Sequence, residues 1–277
     1  MFFRKKFLYA VGLGLFTAFN FLYARESIFL NETPQNLWIE RDGFAMNFGA
    51  KKSNYIVSSL QMKQQVFLSR FSFLCQTSDG KTEDERSVPA ENVKETVRHK
   101  EKGKLTWVLE SKWKFLNLKR TVALGDFPGV KVTYEFEVTE DFRPRRLYLS
   151  FYMPQEKYRV TGYKKNSVTQ FRKAVKSEWF GILRSPHFPY ITFSDKDVEY
   201  GLMILAADVS SWERLPGMLL YSTVKDAYSS TEFMYYQNQD MKKGMKGSFS
   251  FYLIPVPGKN AAVEADEIYA RLKDTIR

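Results

Sequence analysis

With 277 residues, 44% of them hydrophobic and 16% aromatic, the chain can bury a large core, and its single cysteine rules out an internal disulfide framework. The formal net charge of +11 is scattered in short groups such as Lys100-Glu101-Lys102, Lys164-Lys165 and Lys242-Lys243. That excludes the dense basic stripe of a nucleic-acid binder and reads as a solvated surface.

Residues 1–24 stand apart. Arg4, Lys5 and Lys6 precede an apolar run from Phe7 to Phe21, and Leu22-Tyr23-Ala24 precedes the charged pair Arg25-Glu26. This is the layout of a secretory signal peptide. An uncleaved N-terminal anchor is the other reading, because the run is nearly long enough to span a bilayer. Either way the expectation is an exported protein, periplasmic or extracellular, with envelope or membrane association left open. Residues 25–277 contain no repeat and no break in composition, and they read as one domain.

The first elements are strands. Trp38 to Glu40 and Phe44 to Phe48 form a hairpin closed by Arg41-Asp42-Gly43, with Asp-Gly as the turn signal. Tyr55 to Leu60 and Val66 to Leu74 follow, with Cys75 in an apolar setting that suits a core residue better than a reactive thiol. Thr77 to Asn92 reads as a polar loop, and Val93 to Lys100 as a short strand.

Leu105 to Met153 carries the clearest pattern. Leu105, Trp107 and Leu109 alternate with polar neighbours. A strand from Trp113 to Arg120 and a turn at Asp126-Phe127-Pro128-Gly129 come next. Then Val130, Val132, Tyr134, Phe136 and Val138 point one way, while Lys131, Thr133, Glu135 and Glu137 point the other. Leu147, Leu149, Phe151 and Met153 repeat the alternation. Period two over this length means antiparallel strands with one buried face.

Downstream, Tyr158 to Lys176 reads as an extended loop with one strand. Trp179 to Leu183 and Tyr190 to Phe193 flank a rigid linker containing Pro186 and Pro189. Further strands cover Tyr200 to Ala206, Met218 to Tyr221, Phe233 to Tyr236 and Ser248 to Ile254, and Pro255-Val256-Pro257-Gly258 closes the sheet. The period then changes. Ala262, Ala265, Ile268, Tyr269, Leu272 and Ile276 recur every three or four residues, with acids in the first turns and bases at the end, as in an amphipathic helix. About fifteen strands and one helix are too many for a small barrel. The fold class predicted is all-β, two large packed antiparallel sheets with a C-terminal helix.

Two segments carry a family resemblance. Leu118 to Phe136 is similar to the central strands of the galactose mutarotase-like supersandwich, and Gln237-Asn238-Gln239-Asp240 followed by Gly244 to Tyr252 resembles its closing strands. The resemblance implies that most of 35–260 adopts that fold and that the ligand is a saccharide. Members include aldose epimerases, which use two histidines and a glutamate as general acid and base, and sugar-processing domains of polysaccharide enzymes. The family's glutamate position is Tyr235 here, and Glu232 is the nearest carboxylate. His99 lacks the family's context, and His187 sits in a rigid aromatic loop.

The candidate catalytic residues are therefore His187 and Glu232. The candidate carbohydrate-binding residues are Trp179, Arg184, Trp212, Tyr235, Tyr236 and Gln237, chosen because sugar sites join flat aromatic faces to bidentate polar groups. His187 also fits a structural loop histidine, and Trp179 also fits core packing. No metal is expected, since two isolated histidines and one buried cysteine make no zinc site. No cofactor is expected, because a phosphate-cradling glycine loop and a G-x-S-x-G nucleophile elbow are both missing. Three functions stay open: a saccharide binder, a sugar epimerase, lyase or hydrolase, and a non-enzymatic interaction protein of the cell envelope.

Overall fold

A computed structural model describes the backbone of residues 27–154, 160–163, 167–170, 178–183, 190–207, 218–222 and 228–274, and within these the side chains outside 53, 154–189 and 208–237. In chain order the strands are β1 (Phe29–Glu32), β2 (Asn36–Arg41), β3 (Phe44–Gly49), β4 (Val57–Met62), β5 (Gln65–Leu68), β6 (Arg70–Thr77), β7 (Thr82–Asp84), β8 (Val93–Glu101), β9 (Lys104–Lys112) and β10 (Leu116–Gly125). They continue as β11 (Phe127–Val138), β12 (Pro144–Pro154), β13 (Val160–Tyr163), β14 (Ser167–Gln170), β15 (Glu178–Leu183), β16 (Tyr190–Ser194), β17 (Tyr200–Ala206), β18 (Met218–Ser222), β19 (Tyr228–Gln237) and β20 (Lys246–Pro257). Helix α1 (Ala261–Leu272) ends the described chain.

The strands form two antiparallel sheets. The first runs β1-β2-β3-β4-β6-β12-β19-β18-β15, with β5 beside β4 and β7 beside β6. The second runs β14-β13-β16-β17-β20-β11-β10-β9-β8. The predicted fold class is what the chain adopts.

The alternation read from the sequence sets which face is buried. Val130, Val132, Tyr134, Phe136 and Val138 of β11 are all in the core, while Lys131, Thr133, Glu135 and Glu137 face solvent. Leu147, Leu149, Phe151 and Met153 of β12 are buried in the same way. Between the sheets, Phe73 of β6 stacks on Tyr134 of β11 and Phe249 of β20, with ring centroids 5.5 and 5.7 Å apart. Trp107 of β9 meets Phe48 of β3 edge-on at 4.8 Å. Such pairs add to the area they bury, by roughly 0.5–1.5 kcal/mol each.

Several local expectations shift. The loop from Thr77 to Asn92 contains β7 and delivers Glu85 into the interior. The turn after β10 closes at Asp126, and Pro128-Gly129 lies within β11. Gly129 is there because φ is +72° and a Cβ would fall 2.0 Å from the Leu253 carbonyl oxygen. Residues 160–170 form two strands rather than one. The strand after Lys112 begins at Leu116, three residues later than expected, because the Trp113 N–H donates to the Leu116 carbonyl in a turn.

Polar ties join the sheets at their margins. Arg41, at the end of β2, donates to the carbonyls of Gly125, Phe127 and Gly129 at 2.6, 2.6 and 2.9 Å, so one buried guanidinium holds the β10–β11 turn. The Gln65 side chain pairs in both directions with the Tyr200 backbone. Arg98 of β8 bridges Glu32 of β1 and Glu95. Helix α1 packs Ala261, Ala265 and Ile268 over β16, β17 and β20, covering part of the outer face of the second sheet.

Candidate functional site

The side of β6 and β12 that faces away from the core is unusual. Phe71, Phe73 and Cys75 point inward, so Arg70, Ser72, Leu74 and Gln76 lie on the outer face. On β12 the outer set is Arg146, Tyr148, Ser150 and Tyr152. The ladder pairs Arg70 with Tyr152, Ser72 with Ser150, Leu74 with Tyr148 and Gln76 with Arg146.

Outward positions on a sheet are normally wet, yet Ser72 and Ser150 are each only 1% exposed. An arginine-on-tyrosine stack stands on each side of them. The Arg70 guanidinium lies 4.0 Å from the Tyr152 ring centroid, and that of Arg146 lies 4.8 Å from Tyr148 while its Nε donates to Gln76 at 3.0 Å. Among the described residues, the Ser72 hydroxyl and Arg70 Nε are buried with no hydrogen-bond partner. A buried polar group left unpaired costs about 1–3 kcal/mol, so such groups mark places where a water, ion or ligand belongs.

The register extends this island across the sheet. Ser150 stands opposite Glu232 of β19, and Glu232 opposite Leu219 of β18. Tyr152 stands opposite Ser230, Ser230 opposite Tyr221, and Tyr221 opposite Trp179 of β15. Two adjacent backbone rows therefore hold Arg70, Tyr152 and Trp179 in one, and Ser72, Ser150 and Glu232 in the other. Rows two residues apart along a strand are about 7 Å apart, and neighbouring strands about 4.8 Å.

The expected site residues divide as follows. Trp179 and Glu232 fall in these adjacent rows by backbone register. Tyr235 falls at the irregularity of the β12–β19 ladder, Tyr236 stands opposite Leu147, and Gln237 opposite Arg146. The side chains of Trp179, Glu232, Tyr235, Tyr236 and Gln237 lie outside the described residues, and so do His187, Arg184 and Trp212 altogether. Sequence reasoning missed Arg70, Ser72, Ser150 and Tyr152. They occupy the outward positions of alternating strands, where polar residues are ordinary, so the sequence carried no distinct signal for them.

Other polar groups serve the fold. Glu85, 7% exposed, accepts from Arg120 Nη1 at 2.8 Å, from the Tyr134 hydroxyl at 2.9 Å and from the Phe73 N–H at 2.8 Å, while Arg120 also donates to the Tyr55 carbonyl at 2.5 Å. Burial is the largest single influence on Arg120 and opposes its charge, but Glu85 and Tyr134 together outweigh it and hold the guanidinium above its ordinary pKa. Burial, reinforced by Glu85, pushes the Tyr134 phenol well up. Burial also lifts the Cys75 thiol to about 12, which fits a core residue and leaves no thiolate near neutral pH. His99 is exposed on β8, and its ring Nε2 lies 2.8 Å from the Glu101 carboxylate. Among the described residues no group of three or more His, Cys, Asp or Glu side chains is placed to hold a metal.

No protein-family model and no curated protein match the sequence. Solved structures do match. A putative aldose 1-epimerase from Escherichia coli K12 aligns with a TM-score of 0.54 over 84% of this chain and 99% of its own, at 7% identity. A Synechocystis sp. PCC 6803 protein aligns with a TM-score of 0.52 over 82% and 98%, at 11% identity. Galactose 1-epimerase from Lactobacillus acidophilus NCFM aligns with a TM-score of 0.50 over 84% and 99%, at 7% identity. At these identities the likeness is one of architecture, which does not carry activity with it. Two large antiparallel sheets, matched along nearly the full length of these epimerase chains, give this protein the same overall fold as those structures.

Proposed function

We propose that this is an exported carbohydrate-binding protein that holds a saccharide on the outer face of its first sheet. The observation that carries the reading is the buried Ser72 hydroxyl and Arg70 Nε, both without a partner among the described residues, beside the Arg70–Tyr152 stack. A sugar supplies what this surface lacks: a flat C–H face for stacking and hydroxyls that both donate and accept. In this reading the ligand displaces what covers Ser72 Oγ and Arg70 Nε in the unliganded fold: Arg70 then donates to ring or hydroxyl oxygens, Ser72 completes its hydrogen bond with a sugar hydroxyl, and Trp179 extends the stacking row. Glu232, in register with the serine pair, accepts from a hydroxyl. The aldose epimerases of the same fold support the ligand class, and the N-terminal signal-like segment supports export.

Processing of the sugar requires more than binding. A carboxylate at Glu232 would take a hydroxyl proton only if a general acid faced it across the ring, and His187 is the residue proposed for that role. A glycan array probed with the protein lacking residues 1–24 tests the reading. It should select a defined set of saccharides, and Ser72→Ala, Arg70→Lys and Glu232→Gln should each weaken that binding without lowering the melting temperature. If no glycan is retained, or if all three variants bind like wild type, the site is not a sugar site. Turnover of the selected sugar that disappears in His187→Ala would make the protein an enzyme.

A further inference from the structure

The second sheet carries its own depression, on the part of its outer face that α1 leaves uncovered. It encloses about 590 Å3 and is floored by β8, β9, β10, β11 and β20. That volume lies within the roughly 300–1,000 Å3 of small-ligand sites. Strand register orders its side chains into two rows. One is Lys94-Glu110-Lys119-Glu135-Ser248, and the next, one step along the strands, contains Lys112, Asn117, Glu137 and Lys246.

The charges are not all spent on one another. Lys119 pairs with Glu135 at 2.8 Å, and Lys246 with Glu137 at 3.7 Å. Among the described residues Lys94, Lys112 and Glu110 form no ion pair within 4.0 Å, although Lys94 and Glu110 are cross-strand neighbours. Two ammonium groups and one carboxylate therefore stand ready on the same wall.

The chemistry of the floor narrows the ligand. An extended peptide is captured by unpaired backbone groups at a sheet edge, but here the backbone of β9, β10, β11 and β20 is paired on both sides, and the edge strand β8 gives the groove only Lys94. A nucleic acid needs an uninterrupted basic surface, and three glutamates break this one. What fits is a ligand that carries spaced anionic groups among many hydroxyls. We infer that this groove binds a carboxylate-bearing saccharide, with Lys94 and Lys112 on the carboxylate and Glu110, Asn117 and Ser248 on the hydroxyls. The site is separate from the Ser72–Glu232 rows and stands or falls independently of them.

The test uses titration calorimetry with three probes: a short oligogalacturonate, the neutral galactose oligomer of equal length, and a short polyglutamate. Wild-type protein should bind the oligogalacturonate at least tenfold more tightly than either of the others. Lys94→Ala/Lys112→Ala should lose at least tenfold for that probe, and Glu110→Gln should lose several-fold. Melting temperatures should not change, because all three side chains are exposed. Arg70→Lys/Glu232→Gln should leave oligogalacturonate binding intact, which separates failure here from failure of the first-sheet site. Equal binding of polyglutamate, absence of oligogalacturonate binding, or an unchanged double-lysine variant would overturn the inference.

Discussion

The two outer faces of the sandwich solve opposite problems with the same alternating pattern. On the first sheet, β6 and β12 bury serines and stack arginines on tyrosines, leaving two polar atoms unpartnered. On the second, β8 to β11 and β20 present an open ionic lattice in which every described side chain of the two rows is at least partly exposed. The first face resembles an interior waiting for a hydrogen-bonding occupant. The second resembles a surface, and its charges are individually weak. Burial sets the difference: a hydroxyl without a partner is costly only where water cannot reach it, whereas exposed ion pairs are screened and contribute about 0–1 kcal/mol.

The comparison requires that both faces hang on a common interior, and the largest effect should appear there. Arg120→Ala leaves Glu85 buried without its cation, which costs about 3–5 kcal/mol. Chemical denaturation should show that loss, and ligand binding at both faces should fall with it. Gly129→Ala comes next: a positive φ and the approach to the Leu253 carbonyl should cost more than about 2 kcal/mol, read as a lower melting temperature. A wild-type melting curve from Gly129→Ala would mean that β11 and β20 do not pack as described.

Smaller effects separate the faces. Glu232→Gln should weaken binding of the saccharide selected by the array about tenfold to a hundredfold, or about 1.4–2.8 kcal/mol, with unchanged stability. Lys119→Ala, which removes an exposed ion pair on the second sheet, should change stability by no more than about 0.5 kcal/mol. A loss of several kcal/mol there would show that the lattice supports the fold, and the contrast would collapse. The smallest effect is expected at Cys75. With its thiol held up at about 12, it should not react with iodoacetamide in native protein at pH 8, and should react once unfolded.

The fold was legible because alternation is a direct physical record of burial. Val130 to Val138 could face only one way, and they do. The resemblance of Leu118–Phe136 and Gln237–Tyr252 named the architecture that the two sheets take. What could not be read was anything that depends on the third dimension. Glu85 sits in a stretch as polar as any loop, and only its partners Arg120 and Tyr134, 35 and 49 residues away, make it interior. Ser72 and Ser150 point outward by alternation, where exposure is the ordinary outcome, and sequence does not show that the outer face at that point is covered. Leu105–Met153, which offered no evident chemistry as sequence, supplies most of the floor of the second-sheet groove once its polar positions are aligned strand by strand. Glu232 was singled out as the carboxylate nearest the family's glutamate position at Tyr235. Its row with Ser72 and Ser150 gives it an independent reason, from register alone.

A crystal structure with the neutral saccharide selected by the glycan array bound tests the central claim most directly. The account predicts a sugar ring against the Arg70–Tyr152 stack, with one hydroxyl bonded to Ser72 Oγ, an oxygen accepting from Arg70 Nε, and Glu232 within hydrogen-bond distance of the ligand. A sugar seated elsewhere with Ser72 and Arg70 unchanged, or no bound sugar at millimolar concentration, would contradict it.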